Sequence, residues 1–372
     1  MKFRLSNPLY YLVVFAIAAI IAELAHADPV VIFVLSALGL IPLAKLIGDA
    51  TEELAVYTGP KVGGLLNATL GNAAELIISV FAIQAGLLEL VRASIAGSII
   101  GNLLLVLGLA LFAGGLKNGL QHFDRRTAAL NATLLILAVV VLAIPSLFDP
   151  ALAITPENEL LFSEGVGLVL IILYGLNIVY SFTSGRRADH HEVEGTGGVI
   201  SKVEEHHAAK WTLPFAVIVL VVATIGTALV SEALVGAVEP VSAQIGMSEI
   251  FVGLILIPLV GNVVEHLVAV QAAIKNKMEL SMAISLGSSI QVALFVAPVL
   301  VFVALLFGER LLLVFNNFEL IALIGAAVIA AFIAQDGESN WLEGAMLLAV
   351  YLIIAFAFLL LPAAAAGTPI HP

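Results

Sequence analysis

The 372-residue chain contains no cysteine, which excludes disulfides, thiolate chemistry and Cys-ligated metals and leaves the redox compartment undetermined. It is also poor in charge. Only 11 % of its residues are Asp, Glu, Lys or Arg, against about 25 % in an ordinary soluble domain. No polar stretch is long enough to fold as a separate soluble domain. The zinc-site pattern HExxH, the P-loop, the GxSxG elbow and the dinucleotide fingerprint are all missing. No residue pattern of this kind points to an enzyme, a cofactor or a nucleic-acid partner, and none of the three is expected.

What is present is apolar: 61 % of residues are hydrophobic and mean hydropathy is +1.13. Apolar runs of roughly 20 residues recur, so an all-α polytopic protein of the lipid bilayer is expected. We read eleven spans, near 8–25, 30–47, 61–86, 90–114, 126–145, 160–183, 212–236, 248–274, 280–306, 316–334 and 340–361. Turn signals such as Asp28-Pro29, Asp149-Pro150 and Asp336-Gly337 stand between them. Residues 1–28 imitate a cleavable signal peptide, with Lys2, Arg4 and Ala25-His26-Ala27. The run is long enough to span and a second follows at once, so we read a retained first helix.

Orientation follows from Lys and Arg. With the N-terminus inside, 13 of the 15 basic residues lie on the cytoplasmic side, and only Arg92 and Arg310 fall outside. The C-terminus is then outside, in a membrane of the prokaryotic inner-membrane type.

A phrase occurs twice within the apolar segments: Gly71-Asn72-Ala73-Ala74-Glu75 and, 190 positions on, Gly261-Asn262-Val263-Val264-Glu265. At the same offset Val62–Val106 aligns with Val252–Val296 without a gap, with about 16 of 45 positions identical. Apolar composition inflates such matches but does not set Asn, Glu and Gly-Ser in register. The expected organisation is an extra N-terminal helix (1–28), a five-helix repeat (29–184), a linker (185–210), a second and inverted five-helix repeat (211–362) and a tail (363–372). Gly63-Gly64, Asn67 and Thr69 interrupt the third span, and Pro258 the eighth, so both are expected to bend or break and expose backbone carbonyls to a cavity.

A carboxylate in the middle of a membrane span costs about 2.5 kcal/mol or more unless paired, hydrated or protonated, so it marks a functional site. Glu75 and Glu265 can meet near the midplane if their helices cross. Together they offer hard oxygens suited to Ca²⁺; desolvated and adjacent, they also favour the protonated form. One site held by a divalent cation or by protons, never both, is an exchanger in outline. A permanently protonated structural pair is the bland alternative.

Asn72 and Asn262 lie on the same helix face as each Glu and can add amide oxygens. Ser98, Asn102, Ser288, Ser289 and Gln291 follow in the next spans and are candidates for lining the site, the serines being equally suited to helix packing. Glu52 and Glu53 near a cytoplasmic span end, and Glu232 near an outer one, could draw cations into a vestibule. His266 could tune the site or relay a proton, or simply pack. Glu89 and Glu279 begin helices and suit the dipole there. Asp189-His190-His191-Glu192 and Glu204-Glu205-His206-His207 belong to the linker, read as solvated rather than as a weak cation or pH sensor.

At this point the residues resemble a known family. Pro42-Leu43-Ala44, Ala50-Thr51-Glu52-Glu53-Leu54-Ala55 and the run from Val62 through Gly71-Asn72-Ala73-Ala74-Glu75 to Ile77 are similar to the calcium/proton exchangers of the cation/proton exchanger family, within the calcium/cation antiporter superfamily. Gly261-Asn262-Val263-Val264-Glu265-His266 and Leu286-Gly287-Ser288-Ser289-Ile290-Gln291 agree, although Val263-Val264 replaces a commoner small pair. The resemblance covers nearly the whole chain past residue 30. It implies eleven helices in two inverted repeats, with Glu75 and Glu265 binding Ca²⁺ and H⁺ in turn. Ca²⁺ is then cargo. Na⁺/Ca²⁺ exchange on the same fold is the nearest alternative, and an intramembrane hydrolase a remote one, because such proteases use paired Asp.

Overall fold

The computed structural model describes residues 8–152, 156–188 and 209–361. The tail and most of the Asp/Glu/His linker lie outside the described residues. Among those described, eight helices are long and apolar enough to cross a membrane, or nine if one bent pair counts as a single span. Two shorter apolar helices, Leu9–Leu24 and Ala73–Gln84, fall where the first and third spans were expected. The architecture is helical apart from one antiparallel pairing of two-residue strands, β1 (Gln121–His122) with β2 (Glu338–Ser339).

The largest departure from expectation concerns the second span. Helix α1 (Val13–Leu24) is followed by α2 (Pro29–Leu70), and α2 runs on past residue 47 to a single non-helical residue, Gly59. The polar residues 45–53 do not end the helix because they are satisfied within it. Lys45 and Asp49 pair one turn apart, the Tyr10 hydroxyl donates to Asp49, and the Thr51 hydroxyl donates to the Ile47 carbonyl at 2.8 Å. The connection between the second and third spans is thereby reduced to a kink. Gly59 has φ +80, a conformation that L-residues resist, and Pro60 restarts the helix with a fixed φ.

The third and eighth spans are both broken, but Gly63-Gly64, Asn67 and Thr69 do not make the first break: they stay helical within α2, where the Thr69 hydroxyl donates to the Leu65 carbonyl and Gly63 packs closely on Ala55. After Leu70 the chain turns through Gly71 and Asn72 and resumes as α3 (Ala73–Gln84). The eighth span runs Glu249–Gly261, then Val263–Ile274 at a bend of 61°.

The helices that follow each break form the centre. In their most apolar 18-residue stretches Leu88–Asn118 is 83 % buried and Met278–Leu306 61 % buried, against 44 % or less for the other spans. Both contain π-helical turns, at Gly101–Val106 and Val292–Val296; a third lies at Val252–Leu256. Inserted π turns often accompany functional sites. Small residues let these helices touch backbone to backbone. A Cβ on Gly97 would fall on the backbone of Leu254, and one on Gly253 would lie 2.8 Å from the Leu90 carbonyl and from the Ala93 methyl. Gly97→Val is therefore expected to destabilise the bundle by about 1–3 kcal/mol or more, read as an earlier thermal transition in detergent; an unchanged transition would mean that the crossing relaxes freely.

Three connections that the charge pattern puts on one side meet there. Gln121 Nε2 donates to the Ala273 carbonyl and to Asn276 Oδ1, both at 2.9 Å, while β1 pairs with β2. Elsewhere Tyr57 donates to the Trp211 carbonyl at 2.6 Å.

Candidate functional site

The two phrases come together through their breaks. Asn72 and Asn262 occupy the same sparsely populated backbone region, at φ −101, ψ 21 and φ −99, ψ 7. Each ends one half-helix and starts the next, so each Glu falls in a first helical turn: Glu75 in α3, Glu265 in Val263–Ile274. The positive end of each short helix faces a carboxylate.

The contacts are reciprocal. The Glu75 side chain lies over Gly261 of the other phrase, its Cγ 3.5 Å from where a Cβ would be. Glu265 shares a cavity of about 120 Å³ with Gly71. Glu265 is also close enough to act electrostatically on Glu75. The amides cross over too: Asn72 Nδ2 donates to Gln291 Oε1 at 2.8 Å and Asn262 Nδ2 to Ser98 Oγ at 3.3 Å. Asn102 Nδ2 donates to Ser288 Oγ at 3.1 Å, and that hydroxyl donates to Glu265 Oε2 at 2.5 Å. These bonds form three groups, Asn72 with Gln291, Asn262 with Ser98, and Asn102 with Ser288 and Glu265; Gln291, Ser288 and Glu265 line the same cavity, and Glu75 lies over Gly261 beside Asn262.

These groups leave oxygens over. With their NH₂ groups engaged, Asn72 Oδ1 and Asn262 Oδ1 are buried acceptors with no donor, and so is Glu75 Oε2. An unmet buried acceptor costs about 1–3 kcal/mol, more if charged. A cation or a proton removes that penalty. Among the described residues no three His, Asp or Glu side chains converge. A cation bound here would therefore draw on two carboxylates, amide and hydroxyl oxygens, backbone carbonyls and water, the donor set of a hard ion.

The two carboxylates differ in access. Glu75 is buried at 4 % exposure. Glu265 is half-buried and faces the open cavity, whose walls also include Asn67, Ile284, Gly287 and Gln291.

Other candidates lie apart from these groups. Ser289 donates to the Ser285 carbonyl of its own helix at 2.9 Å. Glu53 accepts from the backbone N–H groups of Lys210 and Trp211 at 2.8 and 3.1 Å, and so staples the start of the second half to α2. Glu52 and Glu232 are exposed, and none of the three lines the cavity. His266 is buried beside Glu265 with no hydrogen-bond partner among the described residues. Glu89 and Glu279 occupy first helical turns. Asn67 and Gly71 line the cavity, although the residues alone marked Asn67 only as a helix interruption and Gly71 only as the start of the repeated phrase. Their role follows from the break, which turns the first half-helix aside.

Ser288→Ala is expected to weaken cation affinity roughly ten- to a hundredfold, because a hydrogen bond to a charged group contributes about 1.5–3 kcal/mol. Ser289→Ala should leave affinity unchanged. Equal effects in a titration of the two variants would dissociate Ser288 from the site.

Comparison with known proteins gives concordant matches. The family model described as "Sodium/calcium exchanger protein" matches residues 29–183 and 215–360. A Ca(2+)/H(+) antiporter of Aphanothece halophytica is 41 % identical over 364 residues, covering 96 % of this chain and 98 % of that protein. The Ca(2+)/H(+) antiporter ChaA of Bacillus subtilis (strain 168) is 42 % identical over 344 residues, covering 92 % and 96 %. The solved structure of native YfkE superposes with a TM-score of 0.81 at 39 % identity, covering 95 % of this chain and 100 % of that one.

Proposed function

The chain belongs to the sodium/calcium exchanger protein family, and from that premise we propose that it exchanges cytoplasmic Ca²⁺ for H⁺ by alternating access to one site made by Glu75 and Glu265. The observation that carries the reading is that both phrases leave buried oxygens without donors, Glu75 Oε2 and Asn72 Oδ1 in one and Asn262 Oδ1 in the other, while Glu75 lies over Gly261 of the second phrase. Relatives named as Ca²⁺/H⁺ antiporters at 41 % and 42 % identity support the same ions.

In this reading the protein has eleven spans, in two inverted five-helix repeats after the N-terminal helix. The N-terminus is cytoplasmic and the C-terminus outside. The reciprocal contacts of the two phrases fit such a pseudo-twofold arrangement. The open cavity is then cytoplasmic, because Ala283 and Ile284 in its wall lie about one and a half turns into the helix that follows Lys275-Asn276-Lys277. Cytoplasmic Ca²⁺ reaches Glu265 first, displaces its proton, and is completed by Glu75 and the two Asn oxygens as the cavity closes. Opening on the far side lets external protons reclaim the carboxylates and release the ion. Two carboxylates match the charge of one Ca²⁺, so cation and proton loading exclude each other. A site with one Glu per repeat offers few oxygens for additional Na⁺ ions, which favours protons as the counter-ion.

The test is Ca²⁺ flux in sealed vesicles of the reconstituted protein. A pH gradient without Na⁺ should drive Ca²⁺ movement, and a Na⁺ gradient at equal pH should not. The opposite pattern would assign Na⁺/Ca²⁺ exchange, and flux insensitive to both gradients would indicate a channel.

A further inference from the structure

A cavity larger than that of the ion site lies elsewhere among the described residues. It is a groove of about 430 Å³ between α6 (Arg125–Leu152) and α7 (Pro156–Ala188), two antiparallel helices on the outside of the bundle. Its walls are overwhelmingly apolar, and several wall residues, Leu130, Leu137 and Leu176 among them, are exposed on the surface that a bilayer would cover. On α6 the lining runs from Thr127 to Leu137. At 1.5 Å per residue that is about 15 Å, half the roughly 30 Å hydrocarbon core and so the depth of one leaflet.

Three features make this more than a gap between helices. Asn131 and Asn177 face it from opposite walls; both are buried, at 4 % and 8 % exposure, and neither side chain has a hydrogen-bond partner among the described residues. Two amides left unmet in an apolar groove call for a ligand that carries acceptors. Arg126 lies one turn before Leu130 on the same face of α6, is exposed, and forms no salt bridge among the described residues. Arg126, the amides and the leucines follow one another from the helix end inward. That is the order of phosphate, ester carbonyl and acyl chain in a phospholipid. The floor is Leu294, in the π-helical turn that directly follows Gln291 of the ion site.

We propose that this groove holds one anionic phospholipid, with its phosphate at Arg126, an ester carbonyl at Asn131 and Asn177, and an acyl chain along the leucines down to Leu294. The bound lipid is a fixed part of the packing behind the helix that carries Ser288 and Gln291. The proposal does not depend on which ions are exchanged.

Native mass spectrometry of the full chain in mild detergent, titrated with phosphatidylglycerol or phosphatidylcholine, tests it. The wild type is expected to retain one phosphatidylglycerol per chain, at least tenfold in preference to phosphatidylcholine. Arg126→Gln, an exposed change that leaves the fold alone, should abolish that preference. Asn131→Leu with Asn177→Leu should remove retention of either lipid, while a thermal scan shows the protein still folded. Should the double variant fail to fold, Arg126→Gln decides alone. No retained lipid, an unchanged preference in Arg126→Gln, or a paired chain in place of a lipid adduct would overturn the assignment, the last by naming a second copy as the occupant.

Discussion

Glu75→Gln and Glu265→Gln are each expected to reduce proton-driven Ca²⁺ exchange by at least 100-fold while leaving the protein folded. Gln keeps the shape and size of Glu but can neither neutralise half of a Ca²⁺ nor give up a proton. With one carboxylate left, a bound Ca²⁺ keeps an unbalanced positive charge in a site largely removed from water, where charge is costly. The fold should tolerate the change, because Glu75 Oε2 already lacks a donor. The expected pattern is therefore loss of flux with an unchanged or later thermal transition, the reverse of what a structural ion pair would give. Glu265 adds a second reading. It faces the cavity, so Glu265→Gln should also abolish Ca²⁺ binding to the resting protein in a calorimetric titration. Normal flux in either variant would remove that residue from the site.

The second large effect concerns the cavity itself. Asn67 and Ile284 stand on its walls, one on the end of α2 and one on the helix Met278–Gln291. Closing the cavity brings these walls together. In a chain without cysteine, Asn67→Cys with Ile284→Cys introduces the only thiols. Oxidation is expected to stop exchange almost completely once a disulfide forms, and reduction to restore it, with each single variant unaffected. The geometry required is a Cα separation of roughly 4.4–6.8 Å, so formation of the bond itself reports closure. Efficient cross-linking with full retention of flux would show that the cavity need not reopen in each cycle.

Much of the site could be read from the residues because its signals are local. A Glu, an Asn and a Gly in a membrane span are individually expensive or helix-breaking, and their recurrence at a fixed offset marks two related elements that share a site, while the expected breaks rest on Gly63-Gly64, Asn67, Thr69 and Pro258. The breaks lie at Gly71-Asn72 and at Asn262. The partners across the halves were not legible in the same way. Nothing in the order of residues says that Asn72 meets Gln291 while Asn262 meets Ser98; those pairings arise from how the helices cross. Ser288 and Ser289 are adjacent and alike, yet a helix turns them about 100° apart, so one reaches Glu265 and the other its own backbone. The full extent of α2 is hidden in the sequence for a related reason. Polarity in residues 45–53 resembles a loop until the Lys45–Asp49 pair and the Thr51 back-bond are seen to satisfy it inside a helix.

The packing of α2 also bears on how the chain is made. Its longest partner is α8 (Leu213–Ile245), and Glu53 and Tyr57 on α2 hold Lys210 and Trp211 at the entrance to that helix. A helix inserted early thus waits for one synthesised about 150 residues later, which at 5–20 residues per second is roughly 8–30 seconds. Through that interval the emerging first half presents an unfilled face to the bilayer and to any quality-control protease. The sequence carries two copies of one pattern, yet the long helix of the first copy finds its main packing partner in the second, so the two copies are expected to mature together.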